Sequence, residues 1–259
     1  MPEEAWFGQE KYRCRLEWGI RGAHAAARRG DVLVVVDVLS FSTAVATAVE
    51  KGAEIYPCGK HDDAVAIAKQ WEAVTAVRRE EVPDRGRYSL SPETFLAASP
   101  GERIVLPSPN GAACSRYVSD APQLLVGALV NAASVADAAA RAAIEAQAAI
   151  TVLACGERWQ YLQEEGDLRF ALEDYIGAGA ILAHLPPSLT RSPEAMIAQA
   201  GFEAAADRLP EVLRECGSGI ELRGRGYPGD VEHAARLSVY TAVPVLQDAL
   251  CFAKWADEK

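Results

Sequence analysis

The run Val32-Leu-Val-Val-Val36 stands between Asp31 and Asp37 with no polar residue inside it. A half-exposed strand alternates apolar and polar side chains, so an unbroken β-branched run predicts a strand covered on both faces, as in a largely parallel sheet. Helices must then lie on either side of it. Tyr12, Cys14, Leu16 and Trp18 alternate with charged residues like a half-buried strand, and the alanine-rich Ala23 to Arg29 runs into Gly30 as a helix runs into its stop. After Asp37, Ser42 to Glu50 consists of helix formers and ends ahead of Gly52. The order strand, polar turn, helix then returns. Arg103 to Leu106 precedes Pro107-Ser-Pro-Asn-Gly111, Leu124 to Leu129 precedes Asn131 and an alanine-rich run to Ala149, and Ile150 to Ala154 precedes Cys155-Gly156. That alternation predicts an α/β fold with helices covering the sheet.

Further helices are expected over 62–71, 170–185, 193–206 and 230–240. Ser91-Pro92-Glu93 and Ser192-Pro193-Glu194 each read as an N-cap followed by proline in the first turn. The polar, glycine-bearing segments 78–90 and 216–229 read as loops near a site. No fixed-period repeat and no low-complexity linker divides the chain. Its 259 residues are expected to form one domain over 1–259, or two intimately packed α/β halves.

Composition narrows the function classes. A net charge of −10 argues against a general nucleic-acid binder, which needs a basic face. Small anions remain open, because a metal ion and a few placed arginines invert the local field of an acidic protein. No apolar run approaches the roughly 18 residues of a membrane span. The N-terminal residues carry Glu3, Glu4 and Glu10 without an apolar stretch, so a cytoplasmic location is expected. The 6 cysteines lack CxxC spacing and read as reduced, buried thiols.

In open parallel sheets ligands bind at the carboxyl ends of the strands, so the polar residues just after buried strands are the first candidates. Asp37 holds such a place. As a plain turn residue it would cap the next helix; as a functional one it ligates a metal, with Ser42 and Thr43 holding a phosphate at a helix start. Asn110 and Gly111 follow the second strand, and Cys155 and Gly156 the third. A nucleophilic Cys155 would need an arginine six residues on to cradle phosphate, and that position is Tyr161, so Cys155 reads as a packed thiol. Glu173 and Asp174 enter an otherwise apolar helix whose Gly177, Ala178 and Gly179 permit close approach to neighbours, so one of the two carboxylates is expected to face the site. Asp230 opens another helix. Asp37, Glu173, Asp174 and Asp230 together would form a hard-oxygen set suited to Mg²⁺. Gly224-Arg-Gly-Tyr-Pro-Gly229 fits GxGxxG, but no convincing strand precedes it and a dinucleotide site is not expected. His24, His61 and His184 read as surface or packing residues, and His233 as a weak site candidate.

Val36-Asp-Val-Leu-Ser-Phe-Ser-Thr-Ala44, Ser91-Pro92, Pro109-Asn-Gly111, Gly127-Ala-Leu-Val-Asn131, Ala154-Cys-Gly156, Leu172-Glu-Asp-Tyr-Ile-Gly-Ala-Gly179 and Gly229-Asp-Val231, in that order, resemble the 2-phosphosulfolactate phosphatase family. The resemblance runs from about residue 30 to about residue 245. It implies a three-layer α/β/α fold with a largely parallel or mixed sheet. It implies also Mg²⁺-dependent hydrolysis of 2-phospho-3-sulfolactate, a step towards coenzyme M. On that reading Asp37 and Asp174 are catalytic, Asp37, Glu173, Asp174 and Asp230 hold the metal, and Ser40, Ser42, Thr43, Asn110, Gly111 and Gly156 meet the substrate. The partner is a small phosphorylated acid, and homodimerisation stays open. One departure stands out. The family reads Asp-Val-Leu-Arg-Ala where this chain has Ser40 and Phe41, and serine does not replace a bidentate cation. The missing charge is expected from Arg158, Arg169, Arg223 or Arg225. The rival reading is a non-catalytic α/β binding protein on the same scaffold.

Overall fold

The computed structural model describes residues 4–118, 121–163, 166–247 and 250–255. Its strands are β1 (Cys14–Trp18), β2 (Val32–Val36), β3 (Glu54–Cys58), β4 (Val74–Thr75), β5 (Arg103–Pro107), β6 (Gln123–Gly127), β7 (Ile150–Ala154), β8 (Glu157–Gln163), β9 (Gly166–Arg169), β10 (Pro244–Leu246) and β11 (Phe252–Lys254). Nine of them form one sheet in the order β1-β7-β2-β6-β10-β11-β3-β5-β4. The first four of that order run parallel to one another, as do the last three. Between these blocks lies the antiparallel pair β10–β11, with Val245 opposite Leu125 and Phe252 opposite Ile55. The sheet is thus mixed. β8 and β9 form a separate hairpin.

β2 shows why its sequence has no polar interruption. Val32, Val34 and Val36 pack into one core, with helices Ala132–Glu145, Leu172–His184 and Pro193–Ala205, while Leu33 and Val35 pack into the other, with helices Gly19–Arg28, Phe41–Glu50 and Gly111–Tyr117. Side chains alternate across a strand, so both faces need apolar residues, and full burial of each stabilises by roughly 1.5–3 kcal/mol. This is the three-layer arrangement. Asp31, which opens the run, is buried in a charged cluster: Arg15 Nη1 reaches its two oxygens at 2.7 and 2.9 Å, Arg29 Nε donates at 3.0 Å and Thr151 Oγ1 at 2.7 Å.

The expected helices form with shifted ends. Residues 62–71 begin their helix at Ala64, capped by the Asp63 side chain; 170–185 become Leu172–His184; 193–206 become Pro193–Ala205, capped by Ser192. The stretch 230–240 is shorter than expected, Pro228–Ala234, and 216–229 is a helix, Gly217–Gly224, followed by a turn. The GxGxxG stretch therefore straddles a helix end and the next helix start. A Cβ on Gly179 would stand 2.1 Å from the Ala198 carbonyl oxygen, so helix Leu172–His184 meets Pro193–Ala205 at backbone distance. None of the described helices is long and apolar enough to cross a membrane.

Candidate active site

The segment after β2 is tied to itself and to two neighbouring loops. The Asp37 N–H donates to Ser42 Oγ at 2.9 Å, and Ser42 Oγ donates to the Val35 carbonyl at 3.2 Å. Thr43 Oγ1 donates to the Val38 carbonyl at 2.8 Å. A hydroxyl has one proton to give, and in this structure both fully buried hydroxyls give theirs to this loop. The Asp37 carboxylate accepts the N–H of Phe41 at 3.2 Å through Oδ1 and that of Gly111 at 2.7 Å through Oδ2. Gly111 has to be glycine: a Cβ there would lie 2.3 Å from Phe41 Cδ1 and 2.8 Å from Asp37 Oδ2. Asp37 thus caps its own turn and ties the loop after β2 to the loop after β5.

Asp174 is a clamp. Its Oδ1 accepts the Val38 N–H at 2.8 Å and its Oδ2 the Gly156 N–H at 2.9 Å, which joins the loops after β2 and β7. Gly156 therefore faces a carboxylate through its N–H, not a substrate anion. Glu173, next in the same helix, is also buried, and after burial its carboxylate is the largest influence raising the Cys216 thiol, to about 12.

Glu157, at the start of β8, completes the group. Asn110 Nδ2 donates to its Oε2 at 3.1 Å, so Asn110 meets Glu157. These acids repel one another. Burial, then the Asp37 charge, pushes Glu157 up to about 7 against the Asn110 bond. Burial raises Asp37 to about 6, opposed by the Gly111 and Phe41 N–H groups, with Glu173 raising it further and Arg79 lowering it. Asp174 lies well above the usual carboxylate range through burial, Asp37 and Glu173. A buried group of perturbed acids is a signature of functional sites.

Asp230 is paired with a cation. Arg79 Nε donates to its Oδ2 at 2.8 Å and the Ser91 hydroxyl to its Oδ1. Ser91 therefore serves Asp230 and does not cap the 3₁₀ turn Pro92–Ala97. Arg79 Nη2 also donates to Ser40 Oγ at 2.7 Å and to the Leu90 carbonyl at 3.3 Å. The cation beside Ser40 is thus Arg79, which was not among the four expected. Arg223 pairs with Glu215 and Arg225 with Glu221; Arg169 lies over the Trp159 ring, and its charge lowers Glu157. His233 Nε2 lies 3.1 Å from both Thr47 Oγ1 and the Tyr240 hydroxyl, away from these acids, and burial pushes it down to about 4. Cys155 is buried in the core, its thiol pushed well above the usual range by burial and then Cys114.

A sequence profile described as 2-phosphosulpholactate phosphatase matches residues 21–249. The chain belongs to that family. A protein named probable 2-phosphosulfolactate phosphatase from Carboxydothermus hydrogenoformans is 31% identical over 219 residues, covering 82% of this chain and 84% of the relative. One named 2-phosphosulfolactate phosphatase from Methanothermobacter thermautotrophicus is 28% identical over 223 residues, 83% of this chain and 86% of its own. A probable 2-phosphosulfolactate phosphatase from Deinococcus radiodurans is 31% identical over 234 residues, 83% of this chain and 88% of its own. By its members' names the family is one of phosphoric monoester hydrolases.

Glu157 and Arg79 were missed from the sequence. Glu157 directly follows the Cys155-Gly156 turn, and a rule that took the first polar side chain after each buried strand would have found it. Arg79 lies in the segment 78–90 expected near the site, but nothing local separates it from Arg78, Arg85 or Arg87.

Proposed function

We propose that the protein hydrolyses 2-phospho-3-sulfolactate, or a closely related phosphorylated acid, to the alcohol and phosphate with Mg²⁺. The reading is carried by the gathering of Asp37, Asp174 and Glu157, each raised by burial and by a neighbouring acid, at the carboxyl ends of β2 and β7. Such repulsion is relieved by protons or by a cation, and carboxylate oxygens favour a hard one. Among the described residues no three His, Cys, Asp or Glu side chains form a ready-made metal cage. Mg²⁺ does not need one, since it keeps several waters and takes one or two carboxylates together with substrate phosphate. Asp37, Glu173 and Asp174 fit as its holders, because all three are buried together, whereas Asp230 is bound to Arg79. The ion would neutralise phosphoryl charge and lower the pKa of its water.

The chain's own residues do the rest. Glu157, near half protonation at neutrality, is suited to take a proton on Oε1 or Oε2 from the attacking water and return it to the leaving alcohol oxygen as the P–O bond breaks. Asn110 holds Glu157 in place and can turn its amide to a phosphoryl oxygen. Gly111 and Phe41 N–H groups fix Asp37. The test is phosphate release from 2-phospho-3-sulfolactate with Mg²⁺ and with a chelator, for wild type and Asp37→Asn. Turnover with Mg²⁺ alone, and its loss in folded Asp37→Asn, is the expected outcome. Equal turnover in chelator would remove the metal, and no turnover at all would leave a binding protein.

A further inference from the structure

We propose that Arg79, with Ser40, recognises an acidic group of the substrate other than the phosphoryl group, and so determines specificity; this rests on the function proposed above. Arg79 comes from the 3₁₀ turn Arg79–Glu81, yet its side chain is only 10% exposed. An arginine drawn in this far needs its charge met, and Asp230 meets it through Nε. Nη2 is turned to Ser40 and Leu90, and the guanidinium lies over the Tyr227 ring at 5.6 Å. The head group is therefore fixed from several sides, and the two Nη1 protons are those an anion could take. Ser40 accepts from Arg79 and keeps its own hydroxyl proton to donate.

Two observations connect this pair with the reacting end. The Arg79 charge reaches Asp37, whose carboxyl it lowers. Arg79 also lines a cavity of about 470 Å³ together with Arg78, Arg225, Glu80, Leu90 and Pro107. Pro107, in that lining, ends β5 three residues before Asn110. A cation-rich wall next to an acidic centre suits a molecule with two separated demands: a phosphoryl group at the centre and a sulfonate or carboxylate on the arginine side. Ser40, where the family pattern has arginine, is the residue to which Arg79 donates from another loop.

The experiment compares kcat/KM for 2-phospho-3-sulfolactate with that for isopropyl phosphate, which keeps the secondary phosphate ester and lacks both other acids. The variants are Arg79→Ala, Ser40→Arg/Arg79→Ala and Arg79→Ala/Asp230→Asn, the last guarding against misfolding caused by an unpaired Asp230. Hydrogen bonds to charged groups are strong enough that Arg79→Ala should lower kcat/KM for phosphosulfolactate about 10- to 100-fold more than for isopropyl phosphate. Ser40→Arg in the same background should restore much of the ratio. Equal losses on the two substrates, or an unchanged ratio in a folded variant, overturn the proposal. Calorimetry with the product sulfolactate separates it from the catalytic reading. At least tenfold weaker binding by Arg79→Ala supports it even if the wild type turns nothing over, and unchanged binding, or none by the wild type, refutes it.

Discussion

Glu157→Gln separates the stability of this protein from its chemistry. Glu157 is raised from 4.5 to about 7, and each pKa unit corresponds to about 1.4 kcal/mol between the two protonation states. The folded protein holds the proton more tightly than the unfolded chain, so this contribution is fully present below about 4.5 and is lost as pH rises through about 7. At pH 8 the ionised Glu157 should therefore destabilise the metal-free fold by about 3 kcal/mol at most, less what solvent screens at this half-buried position. Glutamine cannot ionise, and its amide oxygen still accepts from Asn110. In chelator at pH 8, Glu157→Gln should melt several degrees above wild type, at roughly 2–4 °C per kcal/mol for a chain of this size. At pH 5 the gain should shrink below about 1 kcal/mol. Phosphate release should meanwhile fall by about two orders of magnitude, the range of a lost proton-transfer group. Scanning calorimetry at the two pH values, beside the phosphate assay, checks both halves. A variant less stable than wild type at pH 8, or equally stabilised at both pH values, would refute the repulsion argument.

Cys155→Ser should keep most of its phosphate release, because a thiol raised this far cannot act as a thiolate nucleophile at neutral pH; a folded but inactive variant with a trapped phosphocysteine in wild type would reverse the mechanism. Gly111→Ala should destabilise by about 1–3 kcal/mol, since its Cβ falls on Phe41 and Asp37, and should lower activity with it. Denaturant unfolding that leaves its midpoint unchanged would mean the Asp37 loop yields more easily than its packing suggests.

The layered fold was legible because one strand had to be apolar on both faces, and the turn after it had to carry what the site needs. Asp37, Asn110, Glu173 and Asp174 all come from that rule or from carboxylates lodged in an apolar helix. What the sequence hid was partnership. Nothing in the sequence says that the Ser42 and Thr43 hydroxyl protons go to the Val35 and Val38 carbonyls. Nor does it say that Asp230 takes Arg79 from a loop 151 positions away in sequence. Helix ends slipped by a residue or two where caps decide them, and the 230–240 helix ended early at Ala234.

The seam of the sheet orders the birth of the molecule. β6 and β3 face each other only through β10 and β11, which follow the other described strands in sequence. Until residues beyond Leu246 emerge, each parallel block carries a bare strand edge facing the gap, with Leu125 on one side and Ile55 on the other awaiting their partners. Unpaired edges are templates for wrong pairing, and contacts so distant in sequence form slowly. The newborn chain is therefore exposed to wrong pairing in the interval before β10 and β11 are made and join the two blocks.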